Sequence, residues 1–109
     1  EYYKKALGDL EGIGWMPESS DSFSTYWLTC ITTPRNVSPI KIMEALEKEN
    51  IEARPIWKPM HLQPYFEKYE CIGGAVSETL FERGLCLPSD TKMTDEDLGR
   101  VCEIVKRVW

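Results

Sequence analysis

The chain has 109 residues, of which 42% are hydrophobic and 28% charged, and its net charge is −5. This length and balance predict one small globular domain rather than several domains or a disordered segment. The excess of acidic residues disfavours nucleic-acid binding, because phosphates would be repelled, and no apolar run is long enough to span a membrane.

Helix and strand signals alternate along the chain. Apolar residues recur at three- and four-residue spacing in the helical segments, whereas β-branched and aromatic residues concentrate in the strand segments. The predicted helices cover residues 2–11, 39–50, 75–84 and 93–109, and the predicted strands cover residues 25–33, 51–57 and 85–88. This order predicts an α+β domain in which a small mixed or antiparallel sheet of about three strands carries helices packed on one face.

Capping signals mark where the helices begin. Ser38 stands at an N-cap position before Pro39, which suits the first turn of a helix. Thr94 precedes the last helix, and Asp97 stands three residues later, the spacing of a capping box. The carboxylates at residues 95–97 are therefore interpreted as acidic residues that favour the start of a helix rather than as a catalytic pair.

Four cysteines bear on metal binding and on cellular location. None of them forms a C-x-x-C pair, and the single histidine, His61, cannot complete a zinc site alone. We therefore expect no metal site. Cys30, Cys86 and Cys102 stand in apolar segments, which favours reduced core thiols and a cytoplasmic protein, with a disulfide or a metal site as the alternatives.

The segment RPIWKPMHLQPYF, residues 54–66, has a composition that suits neither a helix nor a strand. It combines three prolines with basic, aromatic and histidine side chains. Loops held on a rigid scaffold often carry binding residues, so this segment is the strongest candidate for a functional site. The remaining sequence holds no P-loop, dinucleotide-binding or nucleophile-elbow pattern.

Individual residues of this segment suggest recognition of an anion and of a ring. Arg54 and Lys58 could hold a phosphate or carboxylate, and Trp57 could stack on a base or sugar. His61 is the one side chain that ordinarily titrates near neutral pH. The alternative is that Trp57 and Phe66 are core residues, His61 is structural, and the two cations form a solvated rim.

Two longer stretches carry a family resemblance. The stretches ARPIWKPMHLQPYF and SETLFERGLCLPSDTKMTDEDLGRV resemble the C-terminal part of DegT/DnrJ/StrS-type nucleotide-sugar aminotransferases, which depend on pyridoxal phosphate (PLP). The resemblance covers essentially the whole chain. It implies that residues 1–109 are the small C-terminal domain of a longer fold-type-I enzyme, whose large PLP-binding domain is absent here.

The resemblance also implies a reaction and its partners. It implies amino transfer, with glutamate as donor, to a nucleotide-linked keto sugar, most similar to the 4-keto-6-deoxy sugars of cell-surface polysaccharide synthesis. The expected partners are the substrate, the protein's own large domain and a second copy in a homodimer. No lysine here matches the family's Schiff-base motif, so we expect no catalytic or cofactor-binding residue in this chain, no bound PLP and no activity of the chain alone.

The resemblance places five residues near the substrate's sugar and diphosphate: Arg54, Trp57, Lys58, His61 and Gln63. Their implied roles are positioning and electrostatic complementarity rather than proton transfer. Two other functions remain open from the residues alone, a non-catalytic binding module and a regulatory relative that lacks the catalytic lysine. Because separation from a large domain would expose an apolar face, we also expect the isolated chain to self-associate.

Overall fold

The computed structural model describes all residues, Glu1–Trp109. Its helices are α1 (Tyr2–Leu7), α2 (Pro39–Glu47), α3 (Ala75–Arg83) and α4 (Asp95–Val108), and a 3₁₀ turn covers Met60–Leu62. Its strands are β1 (Gly14–Trp15), β2 (Thr29–Thr32), β3 (Arg54–Pro55) and β4 (Gly84–Leu87). None of the helices has the length and apolarity needed to cross a bilayer.

The strands form one antiparallel sheet in the order β1-β2-β4-β3. The α+β class is confirmed, and the sheet is antiparallel throughout. It has four strands rather than about three, because β1, which pairs with the end of β2, was not predicted. A strand of two residues is too short to show a period-two pattern in sequence.

The hydrophobic core lies between one face of this sheet and the helices. Leu85 and Leu87 alternate along β4 and point to this face with Ile31 of β2, as side chains two residues apart must. The helical side of the core comes from the apolar stripes of three helices: Tyr3 and Leu7 of α1, Ile42 and Leu46 of α2, and Val101, Cys102, Ile104 and Val105 of α4. The predicted packing of helices on one face is therefore confirmed for α1, α2 and α4.

The opposite face of the sheet carries a different set of side chains. Cys30 of β2 and Cys86 of β4 point to it, and Phe81 brings α3 to the same side. Gly84 begins β4 where an added Cβ would collide with the Ile56 side chain and the Leu80 carbonyl oxygen. A residue without a side chain is thus required for the close approach of β3 and α3.

Local backbone conformation explains why several elements are shorter than predicted. Tyr26 has φ of 50°, a left-handed conformation that breaks the extended chain, so the strand predicted over 25–33 begins only at Thr29. Asn50 has φ of 59° just beyond α2. Pro55 has no N–H and cannot donate a hydrogen bond to another strand, which is why β3 lies at the edge of the sheet. Helix α1 ends at Leu7, just before Gly8, whereas the predicted helix continued to residue 11.

The predicted capping box of α4 is present. The Asp97 N–H donates to Thr94 Oγ1 (3.2 Å), and the Thr94 N–H donates to Asp97 Oδ2 (2.9 Å). The bond from the Thr94 N–H, with a second from the Thr94 hydroxyl to Asp97 Oδ2 (2.7 Å), holds the pKa of Asp97 below its ordinary value. Ser38 occupies the N-cap position of α2 as predicted, but its side chain makes no capping hydrogen bond.

Candidate functional site

A groove with a volume of about 560 Å³ crosses the face of the sheet opposite the core. Its walls come from β3 and the residues after it, from α3, and from the end of β4. Among the residues that line it are Trp27, Arg54, Trp57, Lys58, Phe81 and Cys86. The structure therefore gathers three of the predicted site residues, Arg54, Trp57 and Lys58, in one place.

Two tryptophans form the apolar part of this groove. The Trp27 and Trp57 ring centroids are 6.4 Å apart, and their planes are inclined by 37°. Trp57 is 65% exposed and Trp27 is 76% exposed. Neither ring belongs to the hydrophobic core of this chain, so the alternative interpretation of Trp57 as a core residue is wrong. Both ring faces are free within the chain to contact a planar ligand.

The two cations of the groove have different surroundings. Arg54 Nε donates to Glu52 Oε1 (2.8 Å), in an ion pair whose side chains are 75% and 72% exposed. Such an exposed pair contributes little stability, and an anionic ligand can compete with Glu52 for the guanidinium group. Lys58 forms no ion pair with any residue of the chain. Lys58 is thus a positive charge without a counter-ion in the chain, and Arg54 is one whose carboxylate partner a ligand can replace.

His61 lies outside the groove, in the 3₁₀ turn, and faces α3. Its Nε2 is 2.8 Å from Glu78 Oε1, and its side chain is only 21% exposed. Because an ionised carboxylate can only accept, Nε2 carries the proton in this bond. The other ring nitrogen, Nδ1, makes no hydrogen bond within the chain and is the atom that can meet a ligand.

Gly74 completes the packing around this imidazole. Its φ is 109°, and an added Cβ would lie 3.0 Å from both Cε1 and Nε2 of His61. A glycine here therefore meets two requirements, the backbone conformation before α3 and the space for the His61 ring. Gly73, the preceding residue, has no such neighbour, so only Gly74 is packed against His61.

Gln63, the fifth predicted residue, points back into its own segment. Its side-chain amide donates to the Lys58 carbonyl oxygen (3.2 Å) and lies 3.5 Å from the Met60 sulfur. These contacts close the turn that carries His61. Within this chain, Gln63 therefore stabilises the segment and does not line the groove.

The cysteines are all free, and no cluster of three or more His, Cys, Asp or Glu residues could hold a metal. Cys102 is buried in the core as predicted, whereas Cys30, which is half-buried, and Cys86, which is buried, lie on the groove face of the sheet and not in the core. Cys71 is exposed.

Two members of the site were not identified in the sequence. The sequence predicts only that Glu78 lies in a helix and Trp27 in a strand. Each lies far along the chain from its partner; the separation between Glu78 and His61, for example, is 17 residues. Neither periodicity nor a local motif reports a contact over such a distance. The density of aromatic residues before β2 was the one signal that could have drawn attention to Trp27.

Comparison with known proteins assigns the chain to a family. The pattern of the DegT/DnrJ/EryC1/StrS aminotransferase family matches residues 1–106. EpsN of Bacillus subtilis (strain 168), named as a pyridoxal phosphate-dependent aminotransferase, is 47% identical over 98% of this chain and 29% of its own length. GDP-perosamine synthase of Escherichia coli O157:H7 is 32% identical over 100% of this chain and 29% of its own length. The chain thus spans less than a third of these curated relatives.

Solved structures confirm the fold. PseC of Helicobacter pylori, an aminotransferase of pseudoaminic acid biosynthesis, superposes with a TM-score of 0.83 at 16% identity, over 98% of this chain and 30% of PseC. DesV of S. venezuelae superposes with a TM-score of 0.81 at 22% identity, over 96% of this chain and 28% of DesV. At these identities the superpositions establish the fold, and the family match establishes membership. The chain belongs to the DegT/DnrJ/EryC1/StrS aminotransferase family.

Proposed function

We propose that this chain is the small C-terminal domain of a PLP-dependent aminotransferase whose substrate is a nucleotide-linked keto sugar. The observation that carries the proposal is the family match over residues 1–106, together with a groove that combines cations and aromatic rings. The names of EpsN and of GDP-perosamine synthase support the reaction and the substrate class. In this proposal the groove and the adjacent turn form the substrate side of the active site.

The groove suits the nucleoside diphosphate part of such a substrate. Lys58 offers a point charge without a competing carboxylate, and Arg54 offers a planar fork that can exchange Glu52 for a phosphate. Trp57 provides an exposed ring face for a base or sugar. These are binding interactions, so we assign them to substrate affinity rather than to the chemical step.

His61 provides a directed contact for the sugar. With its Nε2 held by Glu78, the imidazole keeps Nδ1 for a hydrogen bond with the substrate. A sugar hydroxyl suits this position because it can either donate or accept. His61 would thus orient the sugar ring, while Gln63 holds the turn on which His61 lies.

The groove does not fit PLP by itself. The cofactor needs a carboxylate for its pyridinium nitrogen, and the only acidic residue lining the groove, Glu52, is paired with Arg54. PLP supplies the electron sink for amino transfer, and we propose that the remainder of the full-length protein binds it. This chain would contribute substrate orientation and water exclusion, and the chain alone would be inactive.

We propose a 4-keto-6-deoxy sugar as the substrate, glutamate as amino donor, a homodimer as the working assembly and the cytoplasm as the location. The resemblance of residues 54–66 to enzymes of that substrate class and the GDP-sugar named for the 32% identical relative support the sugar assignment. An acidic net charge of −5 agrees with the absence of a nucleic-acid partner. The GDP-sugar in the name of this relative makes a GDP-linked substrate the first one to assay.

Steady-state kinetics of the full-length enzyme with a GDP-linked 4-keto-6-deoxy sugar and glutamate test the site. Lys58→Ala and His61→Ala should each raise KM for the sugar nucleotide, with a smaller effect on kcat. Lys48→Ala, an exposed lysine just after α2, is the matched control and should change neither constant. If both site variants leave kcat/KM unchanged, the site is assigned wrongly.

Absorbance of the full-length protein distinguishes the enzyme from a non-catalytic relative. Addition of PLP should produce the visible absorbance of lysine-bound cofactor in the full-length protein and none in this chain alone. A full-length protein that remains colourless would be a binding or regulatory relative, and the proposed reaction would be wrong.

A further inference from the structure

Two cysteines face each other across the middle of the sheet, on the groove side. Cys30 of β2 and Cys86 of β4 are direct partners in the antiparallel register, and their sulfur atoms are 3.6 Å apart. They are 56 positions apart in sequence, so the contact is created by the fold. Neither thiol belongs to the hydrogen bonds or ion pairs of the proposed substrate site.

The ladder places this pair where a disulfide can form without backbone movement. The Thr33 N–H donates to the Arg83 oxygen (2.8 Å), which identifies that pair as a hydrogen-bonded one. Because antiparallel pairs alternate, Cys30 and Cys86 occupy a non-hydrogen-bonded pair, with Cα atoms about 4.5 Å apart. Disulfides span Cα distances of roughly 4.4–6.8 Å, so rotation of the two side chains is sufficient.

The two thiols differ in exposure, which sets the order of their reactions. Cys30 is half-buried and lines a smaller cavity that shares Trp27 and Trp57 with the groove. Cys86 is buried, and burial, with a smaller contribution from the Cys30 hydrogen bond, raises the pKa of its thiol to about 12. Cys30 is therefore the thiol that meets a reagent from solvent, and Cys86 is the thiol that follows.

We propose that Cys30 and Cys86 form a reversible disulfide site whose co-reactant is a low-molecular-weight disulfide such as oxidised glutathione. The Cys30 thiolate attacks one glutathione sulfur, the bond between the glutathione sulfurs breaks, and one glutathione thiolate leaves. Cys86 then loses its proton to solvent and attacks the Cys30 sulfur, which releases the second glutathione thiolate. Two protein thiols are oxidised by two electrons, oxidised glutathione is reduced to two glutathione molecules, and the two protons pass to those thiolates.

The disulfide would cross-link the two central strands under the groove. Cys86 lines the groove, and Cys30 lines the smaller cavity beside it, each together with Trp27 and Trp57, so the bond would join the two strands next to the tryptophans. It would also close a long loop that contains α2, β3 and α3. Oxidation should therefore raise the thermal midpoint of the domain, since cross-linking restricts the unfolded chain.

Peptide mapping of the full-length protein tests this proposal directly. Trypsin separates the cysteines of this chain, because each lies between different Lys or Arg residues. The peptides are 6–35 for Cys30, 84–92 for Cys86, 69–83 for Cys71 and 101–106 for Cys102. After incubation with oxidised glutathione, the expected species joins peptides 6–35 and 84–92 and is two hydrogen atoms lighter than their sum, and dithiothreitol should remove it.

The pH dependence and the variants provide independent tests. Conversion of the Cys30–glutathione mixed disulfide to the cross-link should accelerate about tenfold per pH unit below the pKa of Cys86, as thiolate attack requires. Cys86→Ala should stop the reaction at the mixed disulfide, whereas Cys71→Ser should leave the cross-link unchanged. Modification of Cys71 alone, or a Cys30 mixed disulfide that never closes in the wild-type protein, would overturn the proposal even if Cys86→Ala failed to fold.

Discussion

His61 and Glu78 are joined by a 2.8 Å contact between Nε2 and Oε1, which connects the 3₁₀ turn to α3 across 17 residues. The carboxylate fixes both the ring orientation and the position of its proton. If His61 binds the substrate as proposed, Glu78 is a positioning residue that acts through the imidazole.

Removal of the Glu78 carboxylate should weaken sugar-nucleotide binding. We expect Glu78→Ala to lower kcat/KM about tenfold, mainly through KM, which corresponds to about 1.4 kcal/mol. Glu78→Gln should recover much of the loss, because its amide oxygen can still accept from Nε2. Glu82→Ala, one turn further along α3 and exposed, is the control. Equal effects of the alanine substitutions at 78 and 82 would contradict the positioning role.

The two ring nitrogens of His61 should be separable by substitution. Asparagine can place a polar atom near the position of Nδ1, whereas glutamine can place one near Nε2. If Nδ1 meets the substrate, His61→Asn should retain a lower KM than His61→Gln, although the glutamine can still bond Glu78. Kinetics of the two variants in the full-length enzyme decide this, and the reverse order would assign substrate contact to Nε2.

A side chain at position 74 should disturb His61 directly. Gly73 and Gly74 both have positive φ, of 81° and 109°, but only a Cβ at Gly74 would approach the imidazole. Each alanine substitution should destabilise the fold, by about 1 to 2 kcal/mol from backbone conformation. Only Gly74→Ala should also raise KM. Thermal unfolding measures the destabilisation that both variants share, and steady-state kinetics measure KM, in which they should differ. Equal KM values for the two variants would argue against a link to His61.

The capping box of α4 should make stability depend on acid pH. The pKa of Asp97 is lowered in the folded state by its bonds from Thr94, so the unfolded chain takes up this proton first. The stabilising contribution is present above about pH 4, the ordinary range of an aspartate, and is lost as the pH falls through the folded-state pKa.

Asp97→Asn therefore should lower the thermal midpoint at neutral pH, and its difference from the wild type should shrink below about pH 4. Asp95→Asn, also in the first turn but outside the box, serves as the comparison. A difference between Asp97→Asn and the wild type that persists unchanged into acid would show that ionisation of Asp97 is not its cause.

The features that were predictable from sequence are those encoded within a few residues. The capping box spans only Thr94 to Asp97, and the apolar stripe of α4 repeats within one helix. The boundaries of the short strands depend on backbone conformations that no sequence pattern indicates. Tyr26 adopts a positive φ although it stands in a run of strand-forming residues, so the strand predicted over 25–33 begins too early.

The candidate site was predictable to the extent that one segment carries it. Arg54, Trp57 and Lys58 meet in the groove because they are neighbours in the chain. His61 was a candidate as the single histidine of this segment, and Gln63 came from the family resemblance. Their contacts, to Glu78 and to the Lys58 carbonyl oxygen, required coordinates. Pairs such as Trp27 with Trp57 arise from strand order, which the sequence of one chain does not specify.

The shape of the sheet limits how this domain can assemble. Both outer strands, β1 and β3, are two residues long, and β3 contains Pro55, which cannot donate a hydrogen bond. Neither border offers a template on which another strand could extend the ladder, so runaway edge-to-edge aggregation is disfavoured. We therefore expect contact with the rest of the protein or with a second copy to use side-chain surfaces, such as the face on which Trp27 and Trp57 are exposed.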